Sequence, residues 1–285
     1  MTGDDSRETS MTTTERAMAF LDGQDRPVET AWPRHVAASG PRERVIDALA
    51  FYQNDDGGFG RGLEVDIKAP DSQPFAARLA MQVLISIGAG SDEPMVQRLT
   101  EWLEREQGDD GDWHFSPGIY QHELAPWFAG WTFPSLNPAL CLGGAATRLG
   151  IGSPALHQRV RALADRMASV EAIADGEFYT VLPYAEYFPW VEHPERDTYV
   201  TALVARIEQD ARGGTYADAG HFFEHAGPAG GAIARRLSPD VIAAQLDRLA
   251  AEQQPDGGWP TPYDQGWRPW STASNAVTLR AFGHA

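Results

Sequence analysis

The stretch QNDDGGFG, residues 53–60, decides the fold, because it recurs along the chain. Close copies are QGDDGDW, which begins at Gln107, and QQPDGGW, which begins at Gln253. Weaker copies are AIADGEF, from Ala172, and QDARGGTY, from Gln209. A pattern that returns in this way, at irregular intervals, predicts a repeat architecture of about five units.

Each copy lies between two helical patterns of different character. The helix before it carries charge on one face, as in PMVQRLTEWLERE, residues 94–106. The segment after it is apolar and rich in small residues, as in PSLNPALCLGGAATRLG, residues 134–150. This contrast is typical of an outer ring of amphipathic helices around an inner ring that is packed on both sides. We therefore predict an all-α protein, an α/α toroid of five to six helical hairpins.

The position of the motif between helices predicts a structural role for it. Glutamine can cap free backbone groups at a helix end, glycine permits positive φ, and aspartate suits a turn. The aromatic residue at the end of the motif can stack on the neighbouring unit. A phosphate loop is not indicated, because the pattern G-x-x-x-x-G-K-[ST] is absent from the sequence.

Composition narrows the class of protein. The chain has 285 residues and a formal charge of −17, so nucleic acid and anionic membranes are poor partners. No apolar run approaches the roughly 20 residues that span a bilayer, and the polar N-terminus does not resemble a secretory signal. The sequence predicts a cytoplasmic protein with a disordered lead-in over residues 1–12 and one toroid domain over residues 13–285. With Cys141 as its single cysteine, the chain has no internal disulfide and no cysteine cluster for zinc.

The repeated Q-x-x-D-G-G-W turn, together with WSTASNAVTLRAF from Trp270, resembles the repeats of terpenoid cyclases and protein prenyltransferase β subunits. The resemblance covers most of residues 40–283 and implies an α/α toroid. It also implies a small hydrophobic or isoprenoid ligand, held in a cavity with aromatic walls.

The catalytic signatures of those families are missing. The acid motif D-x-D-D and the magnesium motif D-D-x-x-D are both absent. Cys141 has no aspartate beside it, which departs from the zinc site of the prenyltransferases. The cyclases usually join two helical domains, whereas this chain has room for one. No catalytic residue of these families can therefore be assigned by resemblance, and Mg²⁺ is expected only if the substrate is a diphosphate.

Catalytic residues are sought where the sequence departs from the repeat. The first departure is GLEVDIKAPDSQP, residues 62–74, with Glu64, Asp66, Lys68 and Asp71. Crowded and buried carboxyls have raised pKa values, which is how an acid catalyst keeps its proton. We predict Asp66 or Asp71 as the acid and Lys68 as a substrate contact. The alternative is a solvated loop in which Asp71 caps the next helix.

Aromatic segments provide the candidate walls of the cavity, because aromatic faces bind hydrocarbons and stabilise cations. Residues 113–138 and 179–197 are the two richest segments, and the alternative for the first is a plug at the end of the barrel. The predicted substrate-binding residues in these segments and in the last helix are Trp127, Trp131, Phe133, Tyr184, Tyr187, Trp270 and Asn275.

The stretch HFFEH, residues 221–225, matches H-x-x-E-H, a pattern that places zinc ligands on one helix in some metalloproteases. No third ligand is evident, so we predict no metal. The hypothesis kept here is a polar patch in the cavity, with Glu224 or His225 as an acid or base and His221 as a substrate contact.

Three functions remain open at this stage. The leading hypothesis is a terpenoid-cyclase-like enzyme that starts its reaction by protonating an alkene or epoxide. The second is a non-catalytic toroid that binds a hydrophobic ligand or a protein partner. The third is a carbohydrate-active hydrolase or lyase, which would need two facing carboxylates across an aromatic groove.

Overall fold

The computed structural model describes residues 11–284, and within them the chain is helical. Fourteen α-helices are present in this range, and β pairing is limited to isolated bridges. The predicted lead-in over residues 1–12 lies, apart from its last two residues, outside the described part. Helix α1 begins at Thr13, where Thr12 and Glu15 form a capping box.

Outer and inner helices alternate along the chain and form six hairpins. The outer helices are α1 (Thr13–Asp22), α3 (Arg42–Ala50), α5 (Pro94–Glu106), α8 (Pro154–Met167), α11 (Arg196–Gly213) and α13 (Pro239–Ala251). The inner helices are α2 (Pro27–Ala38), α4 (Pro74–Ser86), α7 (Leu136–Leu149), α10 (Phe178–Tyr187), α12 (Ala219–Ala226) and α14 (Arg268–Ala281). Two short helices, α6 (Pro126–Ala129) and α9 (Val170–Asp175), lie in the connections.

The inner helices pack on one another around a ring. The order runs from α4 through α7, α10, α12 and α14 to α2. The indole of Trp32 on α2 donates to the hydroxyl of Ser86 on α4, which joins the two ends of this series. The predicted α/α toroid is therefore confirmed, with six hairpins.

Small residues allow the closest approach in the ring. Gly144 on α7 faces α10, and a Cβ on Gly144 would lie 2.0 Å from the carbonyl oxygen of Glu186. Any larger residue would push these two inner helices apart. The glycine-rich inner helix that the sequence displays is thus required by the packing.

The three strong copies of the motif make the same hydrogen bonds. In each copy, the glutamine side-chain nitrogen donates to a carbonyl four residues later and to a carbonyl at the start of the next outer helix. For Gln53 the acceptors are the carbonyls of Gly57 and Met95, both at 2.9 Å. Gln107 bonds Gly111 and Leu156, and Gln253 bonds Gly257 and Thr13.

Glycine at the fifth position of the motif has positive φ in all three copies. Gly57 has φ +92°, and a Cβ there would lie 2.1 Å from the carbonyl oxygen of Arg98 on the next outer helix. Gly111 and Gly257 show the same approach, to Arg159 and Arg16. The turn therefore has a structural role, as predicted, because it joins one outer helix to the next.

Candidate functional site

The candidate site lies at the end of the ring where the inner helices begin. The loop with Glu64 and Asp66 leads into α4, and the loop with Trp127 leads into α7. Tyr179 and His221 stand in the first turns of α10 and α12. We call this end of the ring the mouth and define it by Asp66, Trp127, Tyr179, His221, Tyr263 and Trp267.

A pair of carboxyls lies at the mouth, and burial controls their charge. Glu64 is 5% exposed, and one of its carboxyl oxygens accepts the backbone N–H of Asp66 at 3.2 Å. Burial, reinforced by the nearby charge of Asp66, raises the pKa of Glu64 to about 8. Asp66 is half-buried, and burial raises its pKa as well, although hydrogen bonds from Trp267 and Trp127 oppose the change. At neutral pH the pair therefore retains at least the proton of Glu64.

Residues 115–133 form a small cap over the mouth with a hydrophobic cluster of its own. The cluster consists of Ile67, Ala69, Phe75, Phe115, Ile119 and Phe128, with Trp131 and Phe133 packed against it. Backbone bonds from Lys68 to Glu123 (3.0 Å) and from Ala125 to Asp66 (2.9 Å) attach the cap to the acidic loop. Trp131 and Phe133 are thus part of the packing of the cap, whereas Trp127 is 51% exposed and its indole contacts Asp66.

Lys68 and Asp71 flank the cap. The side chain of Lys68 is exposed, and Asp71 is half-buried against Gly118 in the cap. The alternative role given to Asp71, capping the next helix, is wrong. Gln73 caps α4 instead, since its side-chain oxygen accepts the N–H groups of Phe75 (2.7 Å) and Ala76 (3.0 Å).

Four other predicted contacts are used in the packing of helices. Tyr184 and Tyr187 are buried on α10, and the Tyr184 hydroxyl accepts the N–H of Ser169 at 3.1 Å. Trp270 packs on Trp32, with 5.4 Å between ring centroids. Asn275 is buried on α14, where its side chain faces Gly220 of α12.

Charged residues line the ring axis below the mouth. The Nε of Arg78 on α4 donates to Glu186 on α10 at 3.0 Å, and the Gln82 amide donates to the same carboxylate at 3.1 Å. Glu224 on α12 lies 4.0 Å from Arg78 and its side chain is 42% exposed, although α12 belongs to the inner ring. This exposure on an inner helix indicates open space along the axis, and the space has polar walls.

The pKa values of Glu186 and Glu224 are shifted in opposite directions by these contacts. Burial by itself would raise the pKa of Glu186, but Arg78 outweighs it and holds that pKa below its usual range. Glu224 is only weakly paired, and desolvation inside the ring raises its pKa. An axial carboxylate with one distant partner can accept a hydrogen bond or a proton from a ligand.

The two histidines of HFFEH have separate partners. His225 is 2% exposed; its Nδ1 lies 3.0 Å from the Tyr216 hydroxyl and its Nε2 lies 3.1 Å from the carbonyl oxygen of Phe178. Burial lowers the pKa of His225 to about 4, so the ring is neutral at pH 7. His221 instead contacts Tyr263 and Asp218 at the mouth. Across residues 11–284, no three histidine, cysteine or carboxylate side chains are arranged to hold a metal ion.

Sequence reasoning missed several residues of this site. Arg78 has a visible signal, since it is the single charge in the apolar inner helix PFAARLAMQVLIS. Glu186 carries the same signal in FYTVLPYAEY. Asp218, Tyr263 and Trp267 lie in loops without a distinctive pattern, and only the closed ring brings them to Tyr179 and Asp66.

Comparison with known proteins supports the fold and leaves the activity open. No protein-family model and no curated protein matches the chain. Among solved structures, it is similar to the apo form of MstE, a type II terpene cyclase from Scytonema, with a TM-score of 0.61. The two share 16% identity over 94% of this chain and 96% of that one. A protein from Actinoplanes is similar at a TM-score of 0.54, with 16% identity over 95% of this chain and 98% of the other.

At this level of identity, both similarities show a shared toroid fold. Within residues 11–284, no helix is both long enough and apolar enough to cross a membrane.

Proposed function

We propose that the protein is a terpenoid-cyclase-like enzyme that protonates an isoprenoid or similar hydrophobic substrate at the mouth of the ring. The observation that carries the proposal is the Glu64–Asp66 pair at the mouth, where burial raises the pKa of both carboxyls. A carboxyl with a raised pKa is the group that acid-initiated chemistry requires.

Asp66 is the member of the pair that a substrate can reach, because it is half-buried whereas Glu64 is 5% exposed. Burial favours the protonated form of Asp66, and in the proposed step this form gives its carboxyl proton to one carbon of an alkene, or to an epoxide oxygen, and leaves a cation. Trp127 and Trp267 both lie beside Asp66, which places two aromatic rings near the point where that cation would form. No resident cofactor is proposed, and Mg²⁺ would accompany the substrate only if it is a diphosphate.

A second candidate is favoured by the charged axis. Arg78, Glu186 and Glu224 give this space the walls of a site for a polar or charged group, while a bare hydrocarbon prefers apolar walls. A non-catalytic toroid that binds such a ligand, or a protein segment that inserts a polar side chain, fits this observation.

The experiment that separates the two candidates is incubation of the purified protein with prenyl diphosphates of increasing length, with squalene and with its epoxide. Organic extracts are read by gas chromatography–mass spectrometry, with and without Mg²⁺. Asp66→Asn is expected to reduce the cyclised product by about 100-fold or more, the usual contribution of a general acid. Asp71→Asn is the matched control, since Asp71 lies on the same loop but packs against the cap.

A cyclised product that survives undiminished in Asp66→Asn would contradict the assigned acid. The absence of product from every substrate, with or without Mg²⁺, would contradict the enzyme itself. Native mass spectrometry of the purified protein would then test the second candidate by searching for a retained ligand.

A further inference from the structure

Three polar side chains at the mouth, Tyr263, His221 and Asp218, form a chain of short contacts. A fourth residue, Tyr179, lies beside this chain, with its ring centroid 6.3 Å from that of Tyr263. The Tyr263 hydroxyl lies 2.8 Å from Nε2 of His221. The other ring nitrogen, Nδ1, lies 2.8 Å from a carboxylate oxygen of Asp218, off the ideal line for a hydrogen bond.

The chemistry of the partners gives the chain a direction. An ionised carboxylate only accepts, so Asp218 favours the proton of the neutral His221 ring on Nδ1. Nε2 is then the acceptor for the hydroxyl proton of Tyr263. The Tyr263 hydroxyl therefore donates toward the histidine.

One end of the chain is open and the other is anchored. Tyr263 is half-buried and lies beside the exposed Tyr179, whereas His221 is 8% exposed. Asp218 is held in place because its carboxylate also accepts the backbone N–H of His221 at 2.9 Å, as the N-cap of α12. An acceptor fixed behind a buried imidazole, with a hydroxyl in front of it, is the arrangement that activates a hydroxyl in a catalytic triad.

His225, on the same helix, has only packing contacts and serves as a comparison for His221. Nε2 of His225 faces the carbonyl oxygen of Phe178, which only accepts, so the proton of the neutral ring lies on Nε2. Among residues 11–284, no carboxylate lies at ion-pair distance from His225, and its tyrosine partner, Tyr216, is buried. The two histidines therefore hold opposite tautomers, and only His221 is linked to a hydroxyl that is not fully buried.

We propose that Tyr263, His221 and Asp218 form a proton relay that removes a proton from a ligand bound at the mouth. The site would then have a base on the α10–α12 side as well as the acid on the loop before α4. This role deepens the proposed function, on which it rests, by naming the group that ends the reaction begun by Asp66.

The proton balance of the step is complete. A carbon next to the cationic centre loses H⁺, and the two electrons of its C–H bond become the new C=C π bond. The proton goes to the Tyr263 oxygen, as Tyr263 passes its own proton to Nε2 of His221. The imidazolium that results is stabilised by the carboxylate of Asp218. Tyr263 is the residue that touches the ligand, and His221 and Asp218 are positioning residues.

The first test is independent of turnover. Two-bond ¹⁵N–¹H imidazole spectra of the full-length protein, recorded at a pH where the rings are neutral, report the tautomer of each histidine. We expect the Nδ1–H form for His221 and the Nε2–H form for His225. Tyr263→Phe should change only the His221 signals, and the matched control Tyr216→Phe should change only those of His225. An Nε2–H tautomer at His221 would overturn the relay.

The second test uses the products of the active enzyme. In Tyr263→Phe and His221→Gln, substrate should still be consumed, because Asp66 is intact, but the cation should be quenched by water. The ratio of cyclised alcohol to cyclised alkene should then rise by about tenfold or more, with ¹⁸O from labelled water in the alcohol. An unchanged ratio in both variants would overturn the relay, whereas wild-type protein without any product would overturn the proposed function and leave the relay to the tautomer test.

Discussion

At the scale of single residues, the partners of a buried group decide its charge. Glu64 and Glu186 are both carboxyls inside the protein, yet their pKa values move in opposite directions. Glu186 faces the guanidinium of Arg78 and stays ionised, whereas Glu64 has no cation at ion-pair distance among residues 11–284. Glu186 is therefore ionised in an ion pair, whereas Glu64 keeps its proton.

This difference predicts how stability depends on pH. The pKa of Glu64 is about 8 in the folded state and near its ordinary value of 4.5 in the unfolded state. Between these two pH values, only the folded state holds the proton. The contribution of Glu64 to stability is therefore complete below pH 4.5 and is lost as the pH rises to 8. In the wild type, the free energy of unfolding should fall by about 4–5 kcal/mol between pH 4.5 and pH 8 because of Glu64. We expect Glu64→Gln to remove this fall.

Urea unfolding at a series of pH values measures the free energy of unfolding. The slope of this free energy against pH is then compared between wild type and variant. Glu177→Gln, which replaces an exposed glutamate, is the control and should leave the slope unchanged. Parallel curves for wild type and Glu64→Gln would show that Glu64 is ionised in the folded protein.

At the scale of elements, the cap is a separate packing unit. Its cluster around Phe75 is distinct from the main core, and the two are joined through the acidic loop and α4. Phe128 contacts Phe75 with 4.6 Å between ring centroids and is 5% exposed. A unit this small can open by itself, because it has few apolar contacts to break.

The cap should therefore loosen without unfolding the ring when Phe128 is truncated. Removing a buried phenylalanine costs roughly 3 kcal/mol, so amides of residues 115–131 should exchange with deuterium about 100-fold faster in Phe128→Ala. Amides of α7 should keep their wild-type rates. The exposed Phe51→Ala is the matched control, and equal acceleration throughout the chain would contradict a separate cap.

At the scale of the whole molecule, closure of the ring joins the two ends of the described chain. Gln253, in the last copy of the motif, donates to the carbonyl of Thr13 at 2.9 Å and accepts from Arg16. Helix α14 packs on α1 and α2, so the first and last hairpins are neighbours. The last unit therefore contacts the first through the same glutamine hydrogen bonds that join successive units elsewhere in the ring.

Loss of this closing contact should destabilise the entire fold. Gln253→Ala leaves the carbonyls of Thr13 and Gly257 and the guanidinium of Arg16 without the amide partner. We expect the free energy of unfolding to fall by about 2 kcal/mol, the cost of leaving part-buried polar groups unpaired. Urea denaturation followed by far-UV circular dichroism measures it, with the exposed neighbour Gln254→Ala as control. Equal effects of the two substitutions would mean that the Gln253 contact contributes nothing to closure.

The sequence by itself determined the class of fold. The Q-x-x-D-G turn and the alternation of amphipathic and small-residue helices predict a toroid, because each feature meets a local need: hydrogen bonds at the end of a helix, positive φ at a turn, or close approach of two helices. The acidic loop before α4 was also visible, as a departure from the repeat.

The tertiary structure alone decided which residues meet at the mouth. Trp131 and Tyr184 look as suitable as Trp127 and Tyr179 in the sequence, yet the first two are used in packing and the last two are open to the site. Tyr179 reaches Tyr263, and Asp66 reaches Trp267, only after the ring has closed. Contacts between residues so far apart in the chain depend on the curvature of the complete ring, and no local pattern in a sequence encodes that curvature.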